Sequence, residues 1–234
     1  MTTDDRDRPA SSRDSMLRQM LGPTAGWSLR EDGFRRAPRA CPGEALALSA
    51  LVTPEAFVDL ALKAAEGDVL VVKNGRPSTA PAPRSRTEAH SLHRAGHSVV
   101  LRNVHRLDQG LGRLAEDLSA ELGAAVAVQL CRTPAWYHSF TWRCDAEEMV
   151  IVQAHGTGDY YLRENTVARR PPGDPAPGDG QYAQETSPTL GSTLTGGDWL
   201  YVPSGWWRIA RARRDSLTLS VGLAPRSATE TLPG

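Results

Sequence analysis

From Ala124 onward the chain reads as one short strand after another. AVAVQLCRT, WYHSFTWRC, MVIVQAHG, DYYLRE, DWLYVPSG, WWRIAR and SLTLSVGL follow in series, separated by Gly, Pro and Asp turns. Strands this short and this numerous bury their apolar faces only by pairing into a closed or two-layered sheet, so the spacing predicts a barrel or sandwich. Immediately before them, LGRLAEDLSAELG places Leu111, Leu114, Ala115, Leu118 and Leu122 on one face of a helix closed by Gly123.

The half before that helix mixes elements. PEAFVDLALKAAEG has Pro54 at a helix start, Phe57, Leu60, Ala61 and Ala64 at helical spacing, and Gly67 as its expected stop. DVLVVKNG is a short strand and turn, RPSTAPAPRSR an exposed Pro-rich loop, and helical SLHRAG leads into the strand SVVLRNV. The expected organisation is a disordered tail over 1–24, a helix and strand region over 25–110 packing on the barrel, a barrel over 111–225 and a tail over 226–234. Between Ala168 and Pro188 the barrel carries an insertion rich in Pro and Gly, expected to be a mobile loop near one mouth.

Composition narrows the function classes. The 27 basic and 27 acidic side chains cancel and form no basic run, which disfavours nucleic acid and anionic membranes as partners. No apolar run approaches the roughly 18 residues of a membrane span, and a cytoplasmic location is expected. Cys41, Cys131 and Cys144 are odd in number and lack CxxC spacing, so they read as buried thiols rather than a disulfide framework or zinc site. His90, His93, His97 and His105 read as surface or capping residues.

Three stretches, in this order, resemble a known family: GHSVVLRNVHRLDQGLGRLAEDLSAELGA, WRCDAEEMVIVQAHGTGDYYL and GDWLYVPSGWWRIARARRDSLTLSVG. The family is that of the bacterial cupin-like JmjC proteins, relatives of the ribosomal oxygenases that hydroxylate protein side chains with Fe(II) and 2-oxoglutarate. The likeness runs from about Leu46 to Leu223 and implies a mainly β fold with flanking helices, a double-stranded β-helix with an N-terminal helical region. Family members hold iron with a His, an acidic residue two positions later and a distant His, a facial triad that leaves positions open for oxygen and co-substrate.

Counting back from Gln153, this chain has Arg143 where the resemblance implies the first His and Asp145 where it implies the acid. After the turn Pro203-Ser204-Gly205-Trp206, Arg208 stands where the distant His belongs, and Gly158 stands where a lysine would meet 2-oxoglutarate. A guanidinium has no lone pair for a metal, and its charge repels a dication. Neither Fe(II) nor 2-oxoglutarate is therefore expected, unless His138 and His155, on either side of Asp145, act as ligands in another register.

If the fold holds, Arg143, Asp145 and Arg208 converge on the inner wall of the barrel, where charges persist only when paired. Three readings stay open. The first is a metal-free pseudoenzyme or binder of an anionic small molecule or peptide, with Arg143, Asp145, Gln153 and Arg208 as its ligand-binding residues. It includes the plain case in which the ion cluster only fills space. The second is a metal-independent isomerase or cyclase, with Asp145, Tyr201 and Tyr160 as proton-transfer groups. The third is an Fe(II)/2-oxoglutarate hydroxylase with unusual ligands. Trp142, Tyr160, Tyr161, Tyr201, Trp206 and Trp207 fall on or beside the strands that line such pockets. The chain ends soon after SLTLSVGL, without the helical dimerisation and winged-helix regions of the ribosomal oxygenases, so a homodimer would need another surface and a ribosomal-protein substrate is not expected.

Overall fold

The structure is a computed structural model that describes residues 21–22, 37–167 and 182–225. Among the described residues four helices flank the strands: α1 (Leu46–Ala50), α2 (Pro54–Lys63), α3 (Arg86–Arg94) and α4 (Gln109–Leu122). The starts of α2, α3 and α4 follow from side-chain caps, since Thr53, Ser85 and Asp108 each accept a hydrogen bond from a backbone N–H three residues on. Helix α4 ends at Gly123, whose φ of 63° provides the left-handed stop that the sequence predicts. Helix α2 departs from expectation. It ends at Lys63, with Ala64 already extended, and Gly67 lies inside a following 3-10 turn (Glu66–Asp68).

Among the described residues twelve strands form two antiparallel sheets. They are β1 (Arg39–Cys41), β2 (Val69–Lys73), β3 (Arg76–Pro77), β4 (His97–Leu101), β5 (Ala124–Thr133), β6 (Arg143–Cys144), β7 (Glu148–His155), β8 (Thr157–Arg163), β9 (Thr189–Thr195), β10 (Trp199–Val202), β11 (Trp207–Ala212) and β12 (Ser216–Pro225). The large sheet runs β1-β10-β7-β12-β5-β4-β2-β3 and the small one β6-β11-β8-β9. This is the two-layered arrangement predicted by the strand series, in the cupin-like jelly-roll form implied by the resemblance. WYHSFTWRC, read as a strand throughout, is one only at Arg143–Cys144; the rest is a strap of turns in which Trp136 has φ 72°.

Strand alternation sorts the side chains into layers. Val150 and Val152 of β7, Trp199 and Tyr201 of β10, and Leu217, Leu219 and Val221 of β12 face outward and form the main core with Leu48, Phe57, Leu111, Leu114 and Leu118 of the helices. Their neighbours Met149, Ile151, Leu200 and Val202 face inward and meet Tyr160, Leu162 and Leu194 of the small sheet. Most of the expected tail 1–24 lies outside the described residues, but Leu21 is buried in the outer core, where its carbonyl accepts from Trp199 Nε1 at 2.9 Å. Among the described residues no helix is long and apolar enough to cross a membrane.

Candidate functional site

The two-residue strand β6 pairs with β11 so that Arg143 lies opposite Arg208. Both side chains turn to Asp145. Its Oδ1 accepts from Nε of Arg143 at 3.0 Å and from Nη2 of the same residue, while its Oδ2 accepts from Arg208 Nε at 2.7 Å. Arg208 Nη2 lies 3.0 Å from Met149 Sδ, and the Arg143 guanidinium stacks 4.5 Å from the centre of the Phe140 ring. The turn that follows β10 is pinned to the same place, because the Asp145 carbonyl accepts from Gly205 N at 2.8 Å.

This arrangement sets the electrostatics. Burial pushes the Asp145 carboxyl up, but the charges of Arg208 and Arg143 and their hydrogen bonds outweigh it and hold the group below the usual carboxylate range. Burial and the neighbouring Arg208 push Arg143 down, against the attraction of Asp145. Two guanidiniums around one carboxylate give the cluster a net charge of one positive unit.

Beside Arg208, between the sheets, lies a cavity with a solvent-accessible volume of about 40 Å³, enough for a few waters or a small anion. Its floor is polar: Gln129, Cys131 and Thr133 from β5 and Ser216, Thr218 and Ser220 from β12. Phe140 and Ser139 of the strap close one side, and Tyr160 of β8 another. Gln153 is fully buried behind it. Its Nε2 donates to the His155 carbonyl and to Ser216 Oγ, both at 2.7 Å, and its Oε1 accepts from the Tyr160 hydroxyl at 3.0 Å. Burial pushes the Tyr160 phenol up, so it remains protonated.

The fold thus brings Arg143, Asp145 and Arg208 together and places Gln153 and Tyr160 within one hydrogen bond of the cavity. Tyr201 is corrected: it faces the outer core and donates to Glu148 Oε2 at 3.0 Å, because on β10 the inward positions fall to Leu200 and Val202. Neither His138 nor His155 joins Asp145. His138 Nδ1 meets the Ala210 carbonyl at 3.0 Å, and His155 is exposed at the end of β7. Among the described residues no group of three His, Cys, Asp or Glu side chains is placed to hold a metal. Asp145, the carboxylate at the inner wall, has both oxygens engaged by guanidiniums, so the residues present do not fit an iron ion. At position 158 a Cβ would already lie 3.1 Å from Gln153 Oε1 and 3.1 Å from the Tyr160 ring, so these two side chains occupy the room that a lysine there would need.

The expected mouth loop is only partly within reach, since 168–181 lie outside the described residues. Its end is anchored. Tyr182 stacks on Trp142 at 4.3 Å and meets Trp207 edge-on at 5.4 Å, on the outer face of the small sheet. Glu185 accepts from Thr166, Thr186 and Ser187, which holds its carboxyl down at about 2 against the upward push of its burial. Of the remaining aromatic candidates Trp207 is buried, Tyr161 exposed and Trp206 partly buried against the inner core. The polar floor of the cavity escaped the sequence reading, although its signal was present as the Ser-x-Thr-x-Ser alternation of SLTLSVG and the Gln-x-Cys-x-Thr of VQLCRT.

A family model described as JmjC domain matches residues 101–231. Among solved structures, the Escherichia coli ribosomal oxygenase YcfD in complex with cobalt and succinic acid aligns with a TM-score of 0.62 at 14% identity, over 84% of this chain and 50% of that one. A second structure of E. coli YcfD gives 0.60 at 16% identity over 84% and 52%, and its complex with cobalt and 2-oxoglutarate 0.57 at 15% over 84% and 50%. The chain thus spans about half the length of these structures. Among curated proteins none matches the chain.

Proposed function

The chain belongs to the JmjC domain family, and on that premise we propose that its barrel is a metal-independent binder of a small carboxylate-bearing molecule, a family member whose ion-pair cluster stands in for the iron site. One observation carries this reading: Arg208 borders a polar cavity with a guanidinium tethered through Nε and Nη2, while its Nη1 makes no hydrogen bond among the described residues. Asp145 holds the guanidinium in place and leaves the cluster one negative charge short of neutrality, which a carboxylate would supply. The cavity's size favours a small molecule over a peptide.

A second reading, an Fe(II)/2-oxoglutarate hydroxylase with unusual ligands, draws on the likeness to YcfD, whose structures hold cobalt with succinic acid or 2-oxoglutarate. The engaged oxygens of Asp145 and the filled space at Gly158 weigh against it. Proton-transfer chemistry without a metal has little to work with, because Asp145 is held ionised by two cations and is a weak base.

Calorimetric titration of acetate and lactate into chelator-treated protein tests the proposal. Binding in the absence of metal, weakened about tenfold or more in Arg208→Met, is expected. Binding that appears only after a divalent metal is restored would contradict it.

A further inference from the structure

The network behind the cavity has a fixed direction, set by one backbone carbonyl. The His155 oxygen can only accept, so the Gln153 atom 2.7 Å from it must be the amide nitrogen. That nitrogen also donates to Ser216 Oγ, and the amide oxygen is turned to Tyr160. The Tyr160 hydroxyl therefore spends its single proton on Gln153, and what it can offer a neighbour is an oxygen lone pair. Ser216 already accepts from Gln153 and keeps its own proton to donate. Tyr160 and Ser216 both line the cavity that Arg208 borders.

We propose that the site selects a short 2-hydroxy acid, the carboxylate on Arg208 and the hydroxyl between Tyr160 and Ser216. This rests on the carboxylate reading above and narrows it. A hydroxyl satisfies both neighbours, donating to Tyr160 Oη while accepting from Ser216. A ketone accepts from Ser216 but sets its lone pairs against those of Tyr160. An ammonium donates to Tyr160 but cannot accept from Ser216, and it brings a second positive charge toward Arg208. A site built around a hydroxyl in this way rejects analogues that leave its polar groups unpaired.

The test is a calorimetric comparison of three isosteric probes, lactate in both enantiomers, pyruvate and alanine, on metal-free protein. One lactate enantiomer is expected to bind at least about tenfold more tightly than pyruvate or alanine. In Tyr160→Phe, confirmed folded by its thermal melt, the lactate-to-pyruvate ratio is expected to fall to within about threefold, because the lone pair that disfavours the ketone is gone. If that variant does not fold, the wild-type ratio alone decides. Pyruvate binding as tightly as lactate overturns the inference and leaves the carboxylate reading standing. Failure of lactate, pyruvate and acetate alike to bind overturns both.

Discussion

Asp145 separates two guanidiniums that the strand register sets opposite one another. With side chains only 19% and 14% exposed, Asp145 and Arg208 form an ion pair well shielded from water. Asp145→Ala would leave Arg143 and Arg208 facing each other without an anion, and is expected to cost about 2–4 kcal/mol in urea unfolding. Because the carboxyl is held lower in the folded state than in the unfolded one, its contribution is complete above the unfolded value of about 4 and disappears as pH falls through the folded value. Glu185, held at about 2, acts in the same direction. Acid unfolding followed by circular dichroism should therefore become shallower below about pH 4 in Asp145→Asn; an unchanged slope would mean that the pairing contributes nothing. At this scale the meeting of three side chains was legible in the chain: the resemblance picks out positions 143, 145 and 208, and strand pairing brings them together. Tyr201 was misplaced because one position on a strand separates the lumen from the outer core, and spacing does not reveal which parity faces in.

Between β7 and β8 the chain turns at Gly156, with φ 77° and with a would-be Cβ only 1.9 Å from the Asp215 carbonyl. Gly156→Ala must displace backbone, and a loss of about 3 kcal/mol or more, or failure to fold, is expected on expression and melting. The aromatic clasp is milder. Tyr182→Ala uncovers Trp207 and Trp142 and should cost about 2 kcal/mol, with increased tryptophan quenching by iodide as the local readout. The alternating strands β5 and β12, and β7 with its continuous apolar run buried on both faces, were legible in the sequence. WYHSFTWRC was not, because its aromatic content imitates a strand while Pro134 and the left-handed Trp136 make it a strap pinned to β11. The hydroxyl floor was hidden by an ordinary assumption, that the polar face of an alternating strand meets solvent. In β12 the apolar face is claimed by the helices, and the Ser and Thr face turns into the lumen.

Across the whole molecule, the double-layered sheet is that of the JmjC domain family, while the groups at its inner wall are an ion triplet and a hydroxyl-lined cavity. The fold fixes where a site sits, and the residues there decide what it binds. Placing two imidazoles beside Asp145 with Arg143→His and Arg208→His is expected to create metal affinity. The most direct test is an anaerobic calorimetric titration of Mn(II), with and without 2-oxoglutarate, into the natural protein and this double variant. No binding heat is expected from the natural protein, and binding of about one metal per chain is expected from the variant. Tight binding of one Mn(II) by the natural protein would contradict this, and would mean that the carboxylate held between Arg143 and Arg208 is released to a metal after all.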